Sequence, residues 1–306
     1  MGLLLLWKPQ GPGSQHQLGH LKRSLNIGGR DRSGIGHTGT LDPFAEGWLL
    51  VGIGEGTKLL TPMMGLPKTY EARLIFGVTS DSLDETGTLD SSQVASVSER
   101  LPGLNDDKLR EFLKSHLGAF DQMPPQFSAI HVDGKRAYEW AREGVTKALK
   151  SRRCEILESE HISFSRTEWR GHPVGEWNFR VKVSSGTYIR ALARDWAQEL
   201  VGAPGLLSRL VRTQVGPFTG NPAEEQHWLG ASDLAPLFDI ESIDASTSEQ
   251  IRHFGRWTPR PRGNKPALLM SPDGEAVAWT EAGTGALGRV FLQNPLKAEK
   301  TEEKVH

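Results

Sequence analysis

The 306-residue sequence has a single cysteine, Cys154. One thiol excludes an internal disulfide and any metal site built from several cysteines, and it is the usage expected in a reducing compartment. No run approaches the roughly 20 apolar residues needed to cross a bilayer. The apolar residues 3–7 are too short for a signal core and have no basic residue before them. The expectation is a cytoplasmic protein without a membrane segment. Net charge is only −1, so no overall field marks a polyanionic partner, and any nucleic-acid surface must come from local clusters of Lys and Arg. Common catalytic signatures are missing too: there is no H-E-x-x-H and no G-x-S-x-G. In GIGEGTK (52–58), Thr57 precedes Lys58, the reverse of a phosphate-binding G-K-[ST], which sets nucleotide hydrolysis aside. His16 and His20 lie four apart with no third ligand at metal-site spacing, so no metal is expected.

Hydrophobic residues make up 37% of the chain and charged residues 24%, enough for a packed core. The length suits two domains, or one large domain with an appendage. LLLLWKP and WLLVGI (48–53) read as buried strands, and KTYEARLIFG (68–77) as a strand rich in β-branched and aromatic residues. NDDKLREFLKSHLG begins with an Asn N-cap and early acids and ends at Gly118, a helix. EWNFRVKVSSG alternates Phe179, Val181 and Val183 on one face, a half-buried strand. TYIRALARDWAQEL carries a helical stripe of Ile189, Leu192, Ala193, Trp196 and Leu200. Ser14 opens a helix over 14–25, residues 26–47 form a Gly-rich loop, and the polar residues 80–104 form a surface excursion. The expected fold is α+β, with a mixed, largely antiparallel sheet. The expected domains are a catalytic domain over 1–240, a small β-rich domain over 245–296 and a frayed tail over 297–306.

Three stretches carry candidate chemistry. GHTGTLDPFAEG (36–47) places Asp42 before a proline, among glycines that permit close backbone approaches, in a loop feeding a strand. The bland alternative is a turn aspartate bonding its own backbone. SSGTYIRALARD (184–195) places Tyr188 and Arg190 at the start of a helix, and Tyr70 lies within KTYEARLIFG. The acids Asp81, Asp84, Glu85 and Asp90 read as solvated loop residues.

Taken together, these stretches resemble the ordered motifs of TruB-type tRNA pseudouridine synthases. GHTGTLDPFAEGWLLVGIGEGTKL is similar to that family's catalytic loop, and KTYEARLIFGVTSDSLDETG to its second motif. QMPPQFSAIHVDGKRAYEWAREG, VKVSSGTYIRALARD and LVRTQVGPF resemble later ones, and LLLLWKPQGPGS its Lys-Pro opening. The likeness runs over about residues 2–220. It implies isomerisation of uridine 55 in the T arm of tRNA to pseudouridine, without a cofactor. By position it implies that Asp42 is the catalytic aspartate, that Tyr70 stacks on the target base and that Arg190 pairs with the catalytic carboxylate. Tyr188 is then an active-site tyrosine, Leu210 an apolar wall of the uracil pocket, and His37 a holder of flipped nucleotides. Lys8 and Pro9 match the opening as structural support. His131 stands where the family often has Lys, and Gly13-Ser14 where it often has Thr-Ser.

The chemistry suits these residues. Breaking a C–N glycosidic bond and making a C–C bond at the same sugar carbon involves no redox step and moves no phosphate. It needs an ionised carboxylate, acting as nucleophile or base. Burial raises a carboxyl pKa, and a neighbouring guanidinium opposes that. The target base must leave its stack, and an aromatic ring offers a replacement surface. Candidate RNA contacts are Lys22, Arg23, Arg30 and Arg32, with Arg252, Arg256, Arg260, Arg262 and Lys265 in a segment lacking acids. That C-terminal segment resembles PUA-like modules. The expected partner is tRNA and the expected state a monomer. The rival readings are a tRNA-folding chaperone on the same scaffold, and a hydrolase of small glycosides.

Overall fold

The computed structural model describes residues 2–27, 34–261, 263–292 and 294–296. The chain divides into two compact units, one of residues 1–42, 47–65 and 214–306 and the other of residues 43–46 and 66–213. The architecture is α+β and mostly antiparallel, with a separate C-terminal sheet.

In the first unit the strand Leu3–Lys8 lies between Gln226–Leu229 and Glu46–Ile53, antiparallel to both. Leu5 faces Leu50, and Leu4 faces Val51. The side chains of Leu3, Leu4, Leu5, Leu49, Leu50 and Val51 are all fully buried. A strand covered on both faces reads as a continuous apolar run rather than an alternation, which explains LLLLW and WLLVGI. The short strand Ile35–His37 pairs with the far end of Glu46–Ile53. The expected loop over 26–47 therefore contains a strand, and His37 sits on it. The glycines of GIGEGTK serve packing: a Cβ at Gly56 would lie 2.2 Å from the carbonyl oxygen of Gly2.

The same unit holds the C-terminal sheet. Asp239–Ser242 runs parallel to Ala267–Met270, followed by antiparallel Ala276–Thr280 and Leu287–Val290. Its core is Ile243, Ile251, Ala267, Leu269, Val277 and Ala278. Lys58 Nζ donates to the Val290 carbonyl at 2.9 Å, and Glu55 accepts from the Leu292 N–H at 2.7 Å, tying this sheet to the turn Gly54–Leu59.

In the second unit the strand order is Gly205–Val215, Lys68–Phe76, His172–Val183, Arg152–Trp169, Gly118–Gln122. Phe179, Val181 and Val183 are buried as their alternation requires. The helix Asp106–Ser115 begins with the Asn105 side chain accepting from the Lys108 N–H. The helix Ile189–Val201 seats Trp196 against Trp177 and Phe179, with ring centroids 5.5 and 5.1 Å away. Aromatic rings at such separations fix a helix in rotation as well as position. The 80–104 region is more than a surface excursion, because Val94 packs in a core with Ile75, Val78, Val174 and Leu206.

Candidate functional site

In the first unit Asp42 is half-buried between Leu41, 3% exposed, and the buried Phe44 and Ala45. The chain passes from the first unit to the second at the Asp42–Pro43 peptide, one of four such boundaries. Ser14 fixes the preceding residue. Its hydroxyl accepts from the Leu41 N–H at 2.8 Å and donates to the Leu41 carbonyl at 3.0 Å. Ser14 is the first residue of the helix Ser14–Ser24, whose N-cap, Gly13, has no side chain to cap it, and the Ser14 hydroxyl serves the loop instead. Ser14→Ala leaves both main-chain groups of Leu41 without their partner. The expected cost is about 1–3 kcal/mol, read as a lower midpoint in urea unfolding. His37 is half-buried, and its Nδ1 accepts from the Gly39 N–H at 3.1 Å.

The second unit holds Tyr70, Tyr188, Arg190 and Leu210. Tyr70 is on the strand Lys68–Phe76, opposite Val181. Leu210 is buried on Gly205–Val215. Tyr188 is the N-cap of the helix Ile189–Val201, and it follows Gly186, whose φ of +90° is the left-handed conformation that favours glycine. The Arg152 guanidinium lies over the Tyr188 ring, 5.1 Å from its centroid.

Arg190 is only 3% exposed. It donates to the Ser82 carbonyl and, at 2.8 Å, to the Phe127 carbonyl. Its Nη1 stands 3.6 Å from Oδ2 of Asp84. Asp84 itself is 4% exposed, so the reading of it as a solvated loop acid is corrected. Its Oδ1 accepts from Ser82 Oγ at 2.9 Å, from the Thr86 N–H at 3.0 Å and from Thr86 Oγ1 at 2.6 Å. Ser80 Oγ accepts from the Asp84 N–H at 3.1 Å and donates to the Asp84 carbonyl at 2.6 Å. A buried carboxylate needs such a shell of donors. The available signal is the set of hydroxyls at positions 80, 82 and 86 flanking Asp84, a pattern that polar composition alone conceals.

Lys68 is 5% exposed, and its Nζ donates to the Leu66 carbonyl at 2.7 Å and to Ser185 Oγ at 3.1 Å. It joins the start of the Tyr70 strand to the turn that leads to Tyr188. Burial, with the charge of Arg212 as a second cause, pushes its pKa down to about 8 from 10.5. Between those values the unfolded chain binds the extra proton, so this group adds stability as pH rises through that window. The stability of the parent protein relative to Lys68→Met is expected to climb by about 2–3 kcal/mol from pH 7 to pH 10.5. Denaturant titrations at several pH values check this.

The basic residues separate. Lys22 and Arg23 are exposed in the last turn of Ser14–Ser24. Arg256 and Lys265 are exposed, with the Arg256 guanidinium 5.3 Å from the Phe254 ring centroid. The C-terminal segment lacks acids only in sequence, since Arg252 pairs with Glu275 at 2.9 Å and Arg260 with Glu241 at 3.6 Å. Arg30, Arg32 and Arg262 lie outside the described residues. Among the described residues no group of three or more His, Cys, Asp or Glu side chains could hold a metal ion. No described helix is long and apolar enough to cross a membrane.

Residues 29–189 match the family model described as TruB family pseudouridylate synthase (N terminal domain). A relative named tRNA pseudouridine synthase B from Bordetella avium is 44% identical over 218 residues, covering 71% of this chain and 82% of its own. Proteins of the same name from Thermobifida fusca and Corynebacterium jeikeium are 33% and 35% identical. They cover 93% and 96% of this chain, and 96% and 94% of their own. Among solved structures, a Cbf5-Nop10-Gar1 complex matches with a TM-score of 0.60 at 22% identity, over 93% of this chain and 79% of that one. An H/ACA RNP bound to a substrate RNA containing 2'-deoxyuridine matches with a TM-score of 0.62 at 19% identity, over 96% and 87%. These two structural likenesses concern the fold.

Proposed function

We propose, from the premise that this chain belongs to the TruB family of pseudouridylate synthases and is a tRNA pseudouridine synthase, that its target is uridine 55 in the T arm. In this reading Asp42 is the catalytic carboxylate and Arg190 supplies the fixed positive charge that the reaction needs. Tyr70 stacks on the extruded base, with Tyr188 and Leu210 completing its surroundings and His37 holding neighbouring nucleotides. The observation that carries the proposal is the buried Arg190 guanidinium, held by two carbonyl oxygens and faced by the Asp84 carboxylate. A charge taken out of water at this cost and fixed so firmly suits preorganised electrostatics better than fold stability, to which buried ion pairs add little.

Lys22, Arg23, Arg256 and Lys265 are the described cations that we assign to RNA contact, and residues 245–296 form the RNA-binding module. The protein acts as a monomer in the cytoplasm. The test is incubation of an unmodified tRNA transcript with the protein, followed by pseudouridine mapping. Product at position 55 alone, retained on an isolated T-arm stem-loop, is expected. Product at another uridine overturns the site assignment. Binding is expected to weaken steeply with salt, as phosphate contacts do.

A further inference from the structure

Gln122 is the last residue of the strand Gly118–Gln122 and is fully buried. Its side-chain amide meets the main chain of Tyr188 at two points. Oε1 accepts from the Tyr188 N–H at 2.8 Å, and Nε2 donates to the Tyr188 carbonyl at 3.0 Å. The same carbonyl accepts the first bond of the helix, from the Leu192 N–H at 3.0 Å. The strand ends here because Pro124 and Pro125 follow within three residues, and neither has an N–H to continue a ladder. The Gln122 side chain takes over as a surrogate peptide group. Without it, the N–H at the N-cap of Ile189–Val201 loses its partner, in a segment that has no side-chain cap.

The segment then stays on the same helix. The Phe127 carbonyl accepts from Arg190, and the Met123 carbonyl accepts from Arg194 at 3.0 Å. Residues 122–127 thus touch positions 188, 190 and 194, spanning the first two turns. Trp196 fixes the helix farther along against Trp177 and Phe179, but nothing in that aromatic cluster sets the exact entry of the chain at Tyr188.

We propose that Gln122 is a positioning residue for the pseudouridine reaction, setting the main chain at Tyr188 so that Tyr188 and Arg190 are held in their working places. It touches no substrate, and it acts through the helix start. The proposal rests on the assignment of Arg190 and Tyr188 to the active site. A misplacement of about 1 Å in a reacting geometry can cost about 100-fold in rate, whereas RNA affinity, spread over many phosphate contacts, responds little.

Gln122→Asn keeps the amide but is one methylene short of spanning both Tyr188 groups, and Gln122→Ala removes the amide. Single-turnover rates and filter-binding affinities on an unmodified tRNA transcript are measured for both, beside Asp42→Asn. The expected result is a fall of about 10–100-fold in the chemical rate for each Gln122 variant, with affinity within about threefold. Either folded variant retaining the full chemical rate, or losing affinity in proportion to rate, overturns the positioning role. If Gln122→Ala does not fold, Gln122→Asn decides alone. Full turnover by Asp42→Asn instead overturns the underlying assignment, separately from the outcome at Gln122.

Discussion

Asp42→Asn is expected to abolish pseudouridine formation while leaving tRNA binding intact. The fall should reach about 10⁴-fold or more, the scale seen when a group that takes direct part in covalent chemistry is removed. The folded loop should survive. Leu41 before Asp42 is anchored at both its main-chain groups by Ser14, and Phe44 and Ala45 after it are buried. Asp42 is half-buried, so the amide pays no large desolvation penalty, and Asn suits a turn as well as Asp does. The substitution also removes one negative charge from the RNA-binding protein, so affinity should hold or rise slightly. The assay is product formation in single turnover beside a filter-binding isotherm and a thermal melt. Turnover within tenfold of the parent would exclude Asp42 as the catalytic carboxylate. A loss of binding equal to the loss of turnover would make it a binding residue.

How much of this was legible in the sequence follows from how local each signal is. The buried strands at Leu3–Lys8 and Glu46–Ile53 announce themselves by unbroken apolar runs. The helix Ile189–Val201 does so by its stripe, and Asp106–Ser115 by its cap and early acids. Position-by-position likeness pointed to Asp42, Tyr70 and Arg190. What stayed hidden depends on partners far along the chain. Asp84 looks like one loop acid among four, because its counterion comes from position 190. Arg252 and Arg260 look unpaired, because their partners Glu275 and Glu241 lie outside the basic stretch in sequence. Ser14 reads as a helix opener, since nothing nearby hints that its hydroxyl binds residue 41. The strand Arg152–Trp169 is long but mostly exposed, so it lacks the alternation that marks a half-buried strand.

The second large effect is expected at the pair Arg190 and Asp84. Arg190→Met removes a buried cation and leaves the Asp84 carboxylate, 4% exposed, without its counter-charge. Breaking a buried pair from one side costs about 3–5 kcal/mol, so a much lower unfolding midpoint is expected together with loss of product. Arg190→Lys separates the two effects. It keeps the charge, but an ammonium on a flexible stem cannot reproduce a planar fork aimed at two carbonyls and a carboxylate. The expected result is a protein that folds, binds tRNA and turns over at least about 100-fold more slowly. Asp84→Asn leaves Ser82 and Thr86 an oxygen to donate to, but sets an NH2 donor against the guanidinium and removes the carboxylate that faces it, so a loss on the same scale, about 3–5 kcal/mol, is expected. The decisive measurement is the double variant Arg190→Met with Asp84→Asn. Since the large single cost is that of an orphaned charge, neutralising both groups should recover part of the stability lost in Arg190→Met, giving a coupling of about 1–3 kcal/mol in the double-mutant cycle. Activity should not return with it, because the fixed positive charge is gone. Strictly additive losses would mean that the 3.6 Å approach of the two groups carries no energy.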